Sequence, residues 1–145
     1  MSMGIIALIA LQSAVVGRPF QISDSVKKAC AAGPTVTMCE QTLPMLAAMR
    51  AEPRNGPWAA SMEALIERSM RVGGKQWVQI RALECRTTYC ALEYAVDAND
   101  LDHDVDGSEE LERLLNPLSG IVAPEVNPAA GNSKMVSVLV WHKRK

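Results

Sequence analysis

With 145 residues and a formal charge of −1, the chain is long enough for one domain with a real core, and its bulk charge would hold neither a nucleic acid nor an anionic membrane. Apolar residues make up 48% and charged ones 21%, a balance that excludes a disordered polyelectrolyte. The charge is unevenly placed. Glu93 to Glu112 holds nine acidic residues and no basic one, while Lys134, Lys143, Arg144 and Lys145 sit near the C-terminal end. A basic tail this short reads as a solvated end, and no nucleic-acid-binding motif accompanies it.

Met1 to Gly17 carries no charged residue, and Gly4 to Val16 is almost wholly apolar. The run is too short to span a bilayer comfortably, so no stable membrane span is expected. It resembles the apolar region of a secretory signal peptide, with Val15 and Gly17 as small residues before a cleavage point. The basic residues that normally precede such a region are missing. A buried core helix and a membrane anchor are the competing readings, and export to a secreted or periplasmic location is the expectation.

Ser23 or Asp24 can cap a short helix through Ala32, which Gly33-Pro34 ends. Thr35 to Thr37 is β-branched but brief. Leu43 to Met49 reads as a second helical stretch with Pro44 in its first turn, where proline is tolerated. Met38, Met45 and Met49 read as a core stripe. Glu52 to Pro57 is a loop by local signals. Trp58 to Val72 is the strongest helix: Trp58, Met62, Leu65, Ile66 and Ser69/Met70 repeat at helical spacing, and Glu63, Glu67, Arg68 and Arg71 lie elsewhere on the wheel. Gly73-Gly74 stop it.

Lys75 to Val96 reads as a β-hairpin turning at Thr87-Thr88. That turn places Cys85 opposite Cys90 at the separation a disulfide needs. The turn chemistry is poor, since no Gly, Asn or Asp supplies a positive φ. The simple register also sends Ile80 and Val96 to opposite faces, so either a bulge shifts one strand or both faces are covered. A short helix from Ser108 to about Leu115 follows. Ile121 to Ser133, with two prolines and a glycine, reads as a loop, and Val136 to Trp141 reads as a third strand. The expected fold is α+β: a three-stranded, mainly antiparallel sheet with helices on one face. Residues 1–17 would be the signal peptide, 18–56 a helical N-terminal extension, and 57–145 an α-β-β-α-β domain.

The four cysteines form two local pairs, Cys30/Cys39 and Cys85/Cys90. An even count at short spacing points to disulfides in an oxidising compartment. Zinc is the rival, but there is no C-x-x-C and histidine is limited to His103 and His142.

One chemical motif stands out. Asp102-His103-Asp104-Val105-Asp106-Gly107 fits D-x-D-x-D-G, the start of an EF-hand-type calcium loop, in which alternate carboxylates converge on a hard cation. Ser108 and Glu110 would complete the ligands. The twelfth position is Arg113 where a bidentate Glu belongs. The competing reading makes Asp106 and Ser108 helix caps and the other acids a solvated turn. Calcium is the one cofactor the sequence suggests.

No catalytic motif occurs. Glu84, Glu93 and Glu63 read as members of surface salt bridges, and the two histidines offer little for a nucleophile. The sequence therefore suggests a non-catalytic exported protein that binds or inhibits a protein partner, with Arg86 and Tyr89 at the hairpin tip as contact residues. A calcium-binding exported domain and an enzyme of unrecognised class are the alternatives.

Overall fold

The computed structural model describes residues 19–33, 35–71, 78–97, 109–127 and 132–145. Three helices come first: α1 (Asp24–Ala32), α2 (Val36–Ala51) and α3 (Gly56–Arg71). The hairpin strands β1 (Val78–Cys85) and β2 (Tyr89–Asp97) follow, then α4 (Glu109–Leu114), β3 (Leu115–Asn127) and β4 (Asn132–Lys143). The strands form one antiparallel sheet in the order β1-β2-β4-β3.

The fold is α+β, as the sequence suggests, but the sheet has four strands rather than three. The extra strand, β3, contains most of the stretch that reads as a loop. Its place at the sheet edge explains the discrepancy. An edge strand pairs on one side only, so it tolerates Pro117 and Pro124, which lack an N–H. Gly120 is required by crowding: a β-carbon there would lie 2.9 Å from the Val138 carbonyl oxygen and 3.1 Å from Leu139 Cδ2. Ile121 and Ala123 are buried while Val122 between them is exposed, the period of a strand with one face in the core.

Helices pack on both faces of the sheet, which corrects the one-face expectation. Toward α3 and α4 lie Val78, Ile80, Leu83, Leu92, Tyr94, Val96 and Trp141, meeting Ala59, Met62, Leu65 and Ile66 of α3 and Leu111 of α4. Toward α1 and α2 lie Ala91, Ala95, Ile121, Ala123, Val136, Val138 and Val140, meeting Phe20, Val26, Leu46 and Met49. The cause is visible in β4. Val136, Val138 and Val140 point one way, and Leu139 and Trp141 the other. A strand apolar on both sides must be covered on both. The segment read as an extension thus shares a core with β2, β3 and β4.

The hairpin register resolves the ambiguity. Cys85 pairs with Cys90, Leu83 with Leu92 and Ala82 with Glu93; beyond a bulge at Arg81, Ile80 pairs with Tyr94 and Val78 with Val96. The bulge returns Val78 and Ile80 to the face of Leu83 and Leu92. Both devices are therefore present, a shifted strand and two covered faces.

Helix α2 begins seven residues before the stretch read as helical, so Pro44 stands in its interior rather than its first turn. The residue is exposed, where a missing N–H and the carbonyl it leaves unpaired can be served by water. The buried stripe of α2 is Cys39, Thr42, Leu46 and Met49. Of the three methionines singled out, Met49 is core, Met45 packs at its edge and Met38 is half-buried. In α3, Trp58 is half-buried against the core, with Lys143 Nζ 5.1 Å from the ring centroid.

Both expected disulfides are formed, and no cysteine is free. Cys30–Cys39 joins the end of α1 to the first turn of α2 across a Cα separation of 5.7 Å. Cys85–Cys90 closes the hairpin at 4.0 Å. With all four sulfurs bonded in pairs, the zinc alternative loses its thiolates.

Candidate functional site: the closed end of the hairpin

The weak Thr87-Thr88 turn is held from outside. Within it, the Arg86 N–H donates to the Tyr89 carbonyl at 2.8 Å. The Glu52 carboxylate accepts the backbone N–H groups of Thr88 at 2.9 Å and Tyr89 at 3.2 Å, and also the Thr88 hydroxyl. The Glu52 carbonyl accepts from Arg86 Nη1 at 3.1 Å, and the Pro53 carbonyl accepts the Thr87 hydroxyl. On the other side the Lys143 N–H donates to the Thr88 carbonyl at 2.7 Å. The loop after α2 thus supplies the acceptors that a better turn sequence would make unnecessary. Arg86 and Tyr89, expected at the hairpin tip as contact residues, are both half-buried. The Tyr89 ring meets His142 edge-on, with centroids 4.9 Å apart.

Three glutamates read as surface ion pairs are buried instead. Glu63 on α3 is completely buried, and Arg54 grips it with two bonds of 2.7 Å. Its Oε2 also accepts the Cys85 N–H at 2.9 Å, while Arg54 reaches the Cys85 carbonyl at 3.3 Å. The hydrogen bond to Glu63, reinforced by its charge, holds the Arg54 guanidinium above its ordinary pKa. Glu84 Oε1 accepts the Phe20 N–H at 3.4 Å and lies 3.2 Å from Arg86 Nε. That second contact is an ion pair without hydrogen-bond alignment, and Arg86 Nε is left buried with no bond. Glu93 accepts the Ser23 N–H at 2.9 Å.

The common role is to accept backbone N–H groups where one chain segment crosses another. An ionised carboxylate has acceptor sites for several donors at once, so it suits such crossings. For Glu93 alone the sequence holds a local hint: it is the one charged residue in the run Cys90 to Val96, which the structure buries without interruption.

Glu84 and Glu93 together pin the segment Pro19–Ser23 across the hairpin, with the Phe20 ring buried beneath it. Beside this crossing opens a groove of about 590 Å³ between α1, α2 and the hairpin end. Lys27, Arg50, Arg86 and Glu84 bring charge to it, and Pro19, Ile22 and Leu43 bring apolar surface.

Farther along the same face, Arg81 projects from the bulge and grips Glu125 of β3 with bonds of 2.6 and 2.7 Å. The Ser25 hydroxyl donates to the same carboxylate at 2.8 Å. The Arg81 hydrogen bonds, outweighing burial and helped by Ser25, lower the Glu125 carboxyl to about 2. The same bond raises the Arg81 guanidinium.

Asp102, His103, Asp104, Asp106 and Ser108 of the suggested calcium loop lie outside the described residues, as does the suggested signal peptide. Glu110 is described: it is exposed on α4, with Oε2 3.9 Å from Arg68 Nη2. Among the described residues no three His, Cys, Asp or Glu side chains cluster in a way that could hold a metal, and no helix is long and apolar enough to cross a membrane. His142, half-buried beside Tyr89, has its Nδ1 2.8 Å from the Lys143 carbonyl. The chain matches no family model, no curated protein and no solved structure.

Proposed function

We propose that the protein is an exported, non-catalytic binding module that presents the closed end of its hairpin, with the groove beside it, to a partner. The observation that supports this best is the use of its reactive side chains. Every cysteine is in a disulfide, and Glu63, Glu84 and Glu93 are occupied with backbone N–H groups and arginines. Such carboxylates are anchored acceptors rather than groups poised to move a proton. Paired sulfurs fit an oxidising compartment.

The test is an intact mass of the protein from its natural host, with free thiols alkylated before and after reduction. The reading expects loss of the N-terminal apolar run and no alkylation until reduction. A full-length mass with four reactive thiols would overturn export. The binding half is tested by partner capture from the extracellular or envelope fraction, comparing the native protein with Arg86→Ala and Tyr89→Ala. Equal recovery of the same partner with all three proteins would remove the hairpin end as the contact surface.

A further inference from the structure

The groove between α1, α2 and the hairpin end has a charge pattern that the fold does not explain. Three cations line it: Lys27 of α1, Arg50 of α2 and Arg86 just beyond β1. One acid, Glu84, lines it as well. Its carboxylate is already engaged from inside by the Phe20 N–H and Arg86 Nε, and the residue is only 4% exposed. Two of the cations are less well served. Among the described residues the Lys27 ammonium has no acidic partner, and Arg50 makes a single long bond of 3.5 Å to the Phe20 carbonyl. Arg86, by contrast, is occupied: its Nη1 donates to the Glu52 carbonyl and its buried Nε pairs with Glu84.

The same groove carries apolar surface. Leu43 is 37% exposed, one of four large hydrophobic residues left open among those described. Pro19 and Ile22 line the groove with it. Two cations without a strong partner beside open apolar surface, in a cavity of about 590 Å³, have the size and composition of a small-molecule site. The buried Glu84 at its wall is already paired with Arg86, so the positive charge left for a ligand is that of Lys27 and Arg50, which favours an anionic head.

We infer that this groove binds an amphiphilic organic carboxylate, its head held by Lys27 and Arg50 and its apolar body against Leu43 and Ile22. The inference rests on the reading of the protein as a binding module and names the chemistry of its ligand. A free carboxylic acid and the carboxyl end of a peptide with an apolar last residue share that chemistry.

The test is calorimetric titration of the oxidised full chain with octanoate, with an N-acetylated dipeptide ending in leucine, and with inorganic phosphate. Octanoate or the dipeptide is expected to bind saturably at one site, and the tighter of the two identifies the source of the carboxylate. Lys27→Gln should weaken that binding by about tenfold, because a charge-assisted bond to the head is lost. Leu43→Ser should weaken it by a similar factor through lost apolar contact. Both positions are exposed, so melting temperatures should stay unchanged. No saturable binding of either carboxylate up to about 10 mM would overturn the inference, since weaker binding falls below the free energy of a specific site. So would binding that both substitutions leave intact, or phosphate binding as tightly as the carboxylates. Those results leave the module reading standing if partner capture still depends on Arg86 or Tyr89; equal capture by both variants strikes that reading instead.

Discussion

The two faces of the sheet share the same strands and differ in what the hairpin gives each. Toward α3 and α4 it gives Val78, Ile80, Leu83, Leu92, Tyr94 and Val96, large side chains that fill the space themselves. Toward α1 and α2 it gives Ala82, Ala91 and Ala95 with Glu84 and Glu93. Small residues leave room, and that room is taken by a length of chain, Pro19 to Ser23, tied down by the two carboxylates. The first face is a closed core. The second is assembled by hydrogen bonds between segments, and its incomplete filling leaves the groove.

The buried acids test this difference most severely. Glu63 belongs to the closed side. Replacing it with Ala would leave the Cys85 N–H without an acceptor and Arg54 without its charge partner. Breaking a buried pair usually costs about 3–5 kcal/mol. Arg54 is partly exposed and can regain water, so the lower end, about 3 kcal/mol, is expected for Glu63→Ala in urea unfolding. Adding Arg54→Ala should cost much less than it does alone, because the two act as one unit.

Glu93 belongs to the open side, where among the described residues it makes one hydrogen bond, from the Ser23 N–H, and its charge also acts on Arg81. Glu93→Ala should cost about 1.5 kcal/mol, the worth of one hydrogen bond to a charged group. Its larger effect should be local. Amide exchange at Phe20 to Ser23 should speed up while exchange in β2 and β4 stays slow. Equal global losses for Glu63→Ala and Glu93→Ala, with no local difference in exchange, would show that the two faces are one cooperative unit and that the contrast is only geometric.

The legible parts of the sequence were those where a local pattern has one physical outcome. The spacing of Met62, Leu65 and Ile66 can bury only as a helix, and Cys85 and Cys90 can bridge only across a hairpin. The limits of α2 and the existence of β3 were hidden because proline's penalty depends on surroundings. Pro44 is tolerated on an exposed helical face, and Pro117 and Pro124 at a sheet edge, and neither location can be read from neighbours in sequence. The buried glutamates were hidden for a related reason. A carboxylate is inside when a distant backbone N–H needs it, and the donors Phe20 and Ser23 stand 64 and 70 residues from their acceptors. The groove depends on the same long-range crossing, so Lys27, Arg50 and Leu43 carried no local mark. Arg86 was noticed for its residue type, and its neighbourhood came only with the fold.

The smallest expected effect concerns the Arg81–Glu125 pair, the second tie across the open face. Its carboxyl titrates near 2 in the folded protein against an ordinary 4.5, held down first by the Arg81 hydrogen bonds. A carboxyl lowered by folding stabilises the fold when it is ionised in both states, which means above about pH 4.5. As the pH falls, the unfolded chain takes up the proton first, so the contribution shrinks between 4.5 and 2 and is gone below that. The full shift would correspond to more than 3 kcal/mol, about 1.36 for each unit. Both partners keep some exposure, and solvent screening brings the expected figure to about 1 kcal/mol. The check is a pair of urea unfolding series from pH 6 to pH 2 on the native protein and Glu125→Gln. The native protein should lose about 1 kcal/mol more over that range, and the two curves should converge at the acid end. Parallel curves would mean that Arg81 and Glu125 meet without coupling, which would leave the open face tied by Glu84, Glu93 and its apolar contacts, Phe20, Val26, Leu46 and Met49 among them.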